Sequence, residues 1–166
     1  MDKINVYTDG SCHTRLLVGS WVAIVFWNDE KIVLSGTAEN TTNNRMELMA
    51  VIEAAKYVLS RGTDGVVEIY TDSQYVVGLR ARKLKIEAAH FLTKRGDLLQ
   101  NTDLLKELWA LEQSVNIQYI KVAAHQKPTE FANYNIEADI LVRHKMRAAI
   151  SGEIDPEGSI DVISKN

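Results

Sequence analysis

The sequence predicts an α/β domain built on a five-stranded mixed sheet flanked by helices. Two observations point to it. Apolar runs at residues 4–8, 20–27 and 31–38 follow one another with short connections, as in an antiparallel meander. Further runs at 66–71 and 116–122 are each preceded by segments of helical spacing. Such strand–helix–strand units favour parallel pairing through right-handed crossovers. The expected sheet therefore has three antiparallel strands and then two parallel ones.

Each element has a local reason. Asn28, Asp29 and Glu30 supply the turn between the second and third strands. A helix over 43–61 has Thr41, Thr42 and Asn43 as cap side chains and Gly62 at its end. Residues 73–79 read as a short helix and 83–93 as another. Residues 102–114 form a third helical segment, with Asn101 or Thr102 as its cap. The last helix spans 129–150, starting near Thr129. Residues 1–150 make one domain, and 151–166 read as a loosely held tail.

Composition excludes several classes. Hydrophobic residues are 46% and charged residues 25%, the balance of a soluble globular protein. No apolar run approaches the roughly 20 residues that span a bilayer, so no membrane association is expected. The first residues lack the charged and apolar regions of a signal peptide, which implies a cytoplasmic location. Cys12 is the only cysteine, so neither an internal disulfide nor a cysteine-based zinc site can form. Net charge is −3, which argues mildly against a nucleic-acid binder. Six cations lie between Arg80 and Arg95, however, with only Glu87 against them. That segment is either a basic patch beside an acidic site or a solvated helix face.

Four carboxylates stand in places that apolar residues usually fill. Asp9 and Asp72 each close an apolar run, in Val6-Tyr7-Thr8-Asp9 and Ile69-Tyr70-Thr71-Asp72. If those strands are parallel neighbours, both reach one edge of the sheet, where open α/β sheets place their sites. Asx turns or helix caps are the alternative use of the pair. Glu47 shares a helix side with Ala50, Val51, Ala54 and Val58. A carboxylate facing that stripe must be paired, hydrogen-bonded or bound to a cation. A capping glutamate is its alternative reading. Asp139 shares a face with Ala132, Val142, Met146 and Ile150, and Arg143 could neutralise it as a simple i,i+4 pair. Four such carboxylates together would need cations. An all-oxygen set suits Mg²⁺ or Mn²⁺ over zinc, and it suits phosphoryl chemistry.

These residues resemble ribonuclease H of type 1, a family that includes cellular enzymes and a retroviral domain. The resemblance covers residues 3–150. It rests on Tyr7-Thr8-Asp9-Gly10-Ser11, Thr41-Thr42-Asn43-Asn44-Arg45-Met46-Glu47-Leu48, Thr71-Asp72-Ser73-Gln74-Tyr75-Val76, and Ala124-His125 followed by Asn135-Ile136-Glu137-Ala138-Asp139. It implies a ribonuclease H-like fold and an endonuclease that cuts the RNA strand of RNA–DNA hybrids. Asp9, Glu47, Asp72 and Asp139 would hold two Mg²⁺ ions roughly 4 Å apart, with Mn²⁺ as a substitute. The products would carry 5′-phosphate and 3′-hydroxyl ends. His125 would handle a proton or aid metal and product release; without the resemblance it reads as an ordinary surface histidine.

Substrate contacts follow from the same resemblance. Asn44 and Gln74 resemble minor-groove readers. Gly10 and Cys12 would bring backbone atoms to ribose 2′-hydroxyls. Thr42 and Asn101 resemble a pocket for a DNA-strand phosphate, and helix capping is compatible with that role. The expected partner is the hybrid duplex, with no organic cofactor and a monomeric enzyme.

The sequence also departs from the family. The loop after the first strand, residues 13–19, is bulky and mostly glycine-free where the family often has glycines, and Arg15 is its candidate phosphate contact. Ala124 replaces a usual glycine, and the basic segment is short and lacks tryptophan. Two rival readings are a resolvase or integrase of the same fold and a non-cutting hybrid-binding module. The 42–47 stretch and His125 fit the first poorly. The second would be expected to lack a carboxylate.

Overall fold

The computed structural model describes residues 2–123, 133–152 and 159–164. The elements run β1 (Lys3–Cys12), β2 (Gly19–Trp27), β3 (Glu30–Ala38), α1 (Asn43–Arg61), β4 (Val66–Thr71), α2 (Gln74–Ala88), α3 (Thr102–Leu111), β5 (Asn116–Lys121), α4 (Tyr134–Ser151) and β6 (Ser159–Ser164). They build one sheet in the order β5-β4-β1-β2-β3-β6. The antiparallel meander is β1-β2-β3, and β4 and β5 add in parallel beside β1. This is the expected five-stranded mixed sheet with one strand more.

The extra strand corrects the reading of the tail as loosely held. β6 pairs antiparallel with β3, from Glu30↔Ser164 to Ser35↔Ser159. It covers the row of backbone groups that β3 would otherwise expose at the sheet edge. Ile160, Val162 and Ile163 carry the β-propensity that the run of turn-forming residues before them obscured.

The β2–β3 hairpin turns on two residues. Asn28 and Asp29 take φ values of 50° and 63° and close the Trp27↔Glu30 pair. Two consecutive left-handed residues match the twist of the flanking strands, and Asn and Asp tolerate that conformation.

α1, α2 and α3 pack on one face of the sheet, and α4 packs on the other. The first core joins Ile4, Val6, Ala23 and Val25 of the sheet to Leu48, Val51, Ala55 and Val58 of α1 and to Leu105 and Leu108 of α3. The second joins Val22, Ile24 and Val33 to Ala138 and Val142 of α4. Each large aliphatic side chain so buried contributes about 1.5–3 kcal/mol. β2 is buried along nearly its whole length because helices cover both of its faces.

Helix ends follow the sequence in α1 and depart from it elsewhere. Thr42 Oγ1 accepts from the Arg45 N–H at 3.2 Å, and the Gly62 N–H bonds back to Val58 O with φ of 73°. The two short helices expected at 73–79 and 83–93 are one helix, α2. Residues 80–85 are strong helix formers, so Gly78 does not break it. The turn comes later, where His90 and Phe91 take φ of 53° and 59°. Thr102 does not cap α3. Its Oγ1 donates to Leu99 O, and Asn101 makes no side-chain cap bond. α4 is capped by Asn133, whose side chain accepts from the N–H groups of Asn135 and Ile136. Residue 129, the expected start, lies outside the described residues. Among the described residues no helix is long and apolar enough to cross a membrane.

Candidate active site

Register brings the first two carboxylates together. β1 and β4 run parallel with Tyr7 opposite Tyr70, so Asp9 and Asp72 arrive level two residues later. β4 ends at Thr71, whereas β1 continues to Cys12 along β2, with Asp9 opposite Val22. Asp9 thus lies inside a strand and does not end one. It is 7% exposed, while Asp72 at the end of β4 is half-buried.

Glu47 reaches the same place from α1. The helix touches β1 at Gly10, where a Cβ would collide with the backbone of Met46 and Glu47. Only glycine permits that approach. One ligand atom each from Asp9, Glu47 and Asp72 lies within 4.8 Å of the others. Glu47 Oε2 is buried and has no hydrogen-bond partner. Capping is not its use, because the cap is Thr42 and the third helical residue is Arg45, two positions before Glu47. The unpartnered oxygen carries a cost that a bound cation would remove.

The electrostatics agree. Burial, followed by repulsion from Asp72, holds the Asp9 carboxyl well above the ordinary carboxylate range, against a lowering by the Gly10 N–H. Glu47 is pushed higher still, by burial first and then by Asp9 and Asp72. The Gly10 N–H donates to Asp9 Oδ1 at 2.9 Å. Among the described residues no lysine or arginine forms an ion pair with any of these three carboxylates. An oxygen-only trio with an orphaned buried acceptor fits a hard divalent cation.

Asp139 stands apart from the trio. It pairs with Arg143 at 2.9 Å, the simpler use open to it from sequence, yet it is near enough to raise Asp9. His125 lies outside the described residues. Arg15, Thr42, Asn44 and Gln74 are all exposed. The backbone donors of Gly10 and Cys12 are engaged: Gly10 by Asp9, and Cys12 by Asn43 Oδ1 at 2.7 Å.

Sequence reasoning missed the network that joins Thr42 to Asn101. Arg45, whose N–H is capped by Thr42, makes a two-point ion pair with Asp103 at 2.9 and 2.8 Å. Its Nη1 also donates to Asn101 Oδ1 at 3.5 Å, and Asn101 Nδ2 donates to the Tyr75 hydroxyl at 3.0 Å. Asn44, Tyr75, Arg82 and Asn101 line one shallow cleft there. No short-range pattern pairs residues 45 and 103, so spacing could not show it.

The basic segment is partly committed to the fold. Arg80 donates to Ile117 O at 2.8 Å, pairs with Glu112 and covers the Tyr119 ring. Arg82 lies over Tyr75, and Lys83 lies over Trp109. Lys85, Lys94 and Arg95 are exposed.

Comparison with known proteins gives the family. The RNase H family model matches residues 1–147. A ribonuclease H of Thermoanaerobacter sp. (strain X514) is 37% identical over 127 residues, covering 75% of this chain and 80% of that protein. Among solved structures, LC9-RNase H1 superposes with a TM-score of 0.78 at 22% identity, over 99% of this chain and 78% of that one. LC11-RNase H1, solved in complex with RNA/DNA hybrid, superposes with a TM-score of 0.65 at 17% identity, over 89% of this chain and 99% of that one. The match over nearly the whole domain shows that the chain belongs to the RNase H family and is a nuclease of that family.

Proposed function

We propose that this chain is an endonuclease that hydrolyses the RNA strand of RNA–DNA hybrids, leaving 5′-phosphate and 3′-hydroxyl ends. The observation that carries the reading is Glu47 Oε2, buried without a partner beside Asp9 and Asp72. Asp9, Glu47 and Asp72 would hold two divalent ions, Mg²⁺ or Mn²⁺, with Asp139 completing the set from α4. Ions bound there would supply the charge that activates water and neutralises the scissile phosphate.

The chain's own residues do the positioning. Burial of Asp9 and Glu47 fixes their carboxylates, so little reorganisation is needed when substrate arrives. Asp139 would leave Arg143 to join the set. His125 would serve the proton or the departing product. Gly10, Cys12, Arg15, Thr42, Asn44, Gln74 and Asn101 would contact the hybrid. Most of those contacts would go to backbone and groove, which favours little sequence preference. The hybrid-bound neighbour supports this choice of substrate. Action as a monomer in the cytoplasm belongs to the same proposal.

One experiment decides it. Purified protein with Mg²⁺ is incubated with labelled RNA–DNA hybrid, duplex DNA or duplex RNA. Cleavage of the RNA strand of the hybrid alone is the expected result. An intact hybrid beside a cut duplex of either other kind would overturn the reading.

A further inference from the structure

We propose that His13 is a positioning residue that shapes the β1–β2 loop and so presents Arg15 to a backbone phosphate of the substrate. This rests on the hybrid-cleaving reading above. The loop lies between paired residues, Cys12 opposite Gly19, at the end of β1 that carries Asp9. None of the residues between them is glycine. The chain must therefore turn with ordinary side chains, and Leu17 takes a φ of 54°. That conformation is strained for a leucine and needs support.

His13 supplies much of that support. Its backbone N–H donates to Val18 O and its carbonyl accepts from the Leu17 N–H, both at 2.8 Å. Its ring then closes the inside of the turn. Nδ1 accepts from the N–H groups of Arg15 at 3.3 Å and Leu16 at 3.1 Å. An imidazole accepting at Nδ1 carries its proton on Nε2. The loop is anchored outside as well. The Thr41 N–H donates to Leu17 O at 3.1 Å, and the Cys12 N–H donates to Asn43.

The result is a turn held at both ends and plugged in the middle. At its tip Arg15 is exposed and makes no ion pair among the described residues. A guanidinium so placed, in the loop that follows the strand carrying Asp9, suits a phosphate of the bound substrate. Without the ring, two N–H groups at residues 15 and 16 are left without an acceptor, and the tip samples other conformations. Arg15 would then spend part of its time away from the phosphate, which weakens binding and leaves the bond-breaking site intact.

The test is steady-state cleavage of the hybrid by wild type, H13A, H13N, R15A and H13A/R15A, each checked by a thermal melt. H13A should raise KM on the order of threefold to tenfold and change kcat little. H13N should restore KM, because an asparagine oxygen bonds the N–H groups two and three residues on in an Asx turn. The double variant should be no worse than R15A. An unchanged KM in H13A, a failed rescue by H13N, or additive losses in the double variant would each overturn the proposal. Wild type that leaves the hybrid uncut would instead overturn the function on which it rests.

Discussion

Gly10 and Glu47 meet backbone to backbone: the backbone nitrogen of Glu47 fills the space where a Cβ on residue 10 would stand. This approach sets how α1 sits on β1, and hence the distance from Glu47 to Asp9. The Gly10→Ala substitution must push the helix off the strand. Overpacking of this kind costs about 1–3 kcal/mol. The loss of activity should be larger than the loss of stability suggests, because the carboxylate trio loses its register. A G10A protein that melts within a few degrees of wild type and cleaves at the wild-type rate would contradict this account.

Asp9→Asn separates stability from activity in the opposite sense. The substitution removes a buried charge that has two carboxylate neighbours, so the metal-free protein should become more stable. On the proposed function Asp9 is a cation ligand, so cleavage should fall by more than about a hundredfold. Added Mg²⁺ should raise the melting temperature of wild type and raise that of D9N much less. Melting curves with chelator and with Mg²⁺ read both effects.

The raised carboxylates fix the sign of a pH effect. In the folded chain Asp9 is pushed up to about 7 by burial and by Asp72, whereas the unfolded chain ionises near its ordinary value of about 3.9. Below that ordinary value both states hold the proton, and Asp9 takes nothing from stability. As pH rises, the unfolded chain releases its proton first, so stability falls. The loss from Asp9 is complete once pH passes about 7. Denaturant melts in chelator from acid to neutral pH should show wild type losing stability relative to D9N across this window. Saturating Mg²⁺ should flatten the difference. A gap between the two proteins that stays constant in chelator would refute the linkage.

The sequence made the trio legible because its signals are local. An acid closing an apolar run and an acid on an apolar helix stripe are anomalies visible within a few residues, and parallel pairing of β1 and β4 joins them. Asp139 was less legible because its helical position offers it Arg143 as a simpler partner, the pair that the structure holds. The Arg45–Asp103–Asn101 network was illegible, since it links α1 to α3 across sequence distance. β6 was missed for another reason. Its six residues follow Asp155-Pro156-Glu157-Gly158, and turn signals so dense masked a short β-prone run.

The basic segment divides into structural and free cations, and mutation should separate them. Arg80 is tied to β5 and α3 by Ile117 O and Glu112, so R80A should lower the melting temperature more than it lowers hybrid affinity. Lys85, Lys94 and Arg95 are exposed. Their combined replacement by alanine should leave the melt nearly unchanged. It should reduce the slope of log affinity against log salt by about one unit for each phosphate that is no longer neutralised. Hybrid binding measured across a salt series, with Ca²⁺ in place of Mg²⁺ to hold back cleavage, gives the slope. An unchanged slope would mean that the segment only solvates the helix.

The tail strand offers a test of edge protection. β6 is the outermost strand and pairs with β3, on the far side of the sheet from β5. It contributes no residue to the carboxylate trio. Removing residues 153–166 should therefore leave kcat on hybrid within about twofold, an effect worth well under 1 kcal/mol in barrier. The same truncation exposes β3 from Glu30 to Ser35, a run that includes Ile32, Val33 and Leu34. An unpaired apolar edge templates strand addition from another chain. The truncated protein should melt several degrees lower and scatter more light on warming than the full chain. If it stayed as soluble and as stable as the full chain, β6 would have no protective role at this edge.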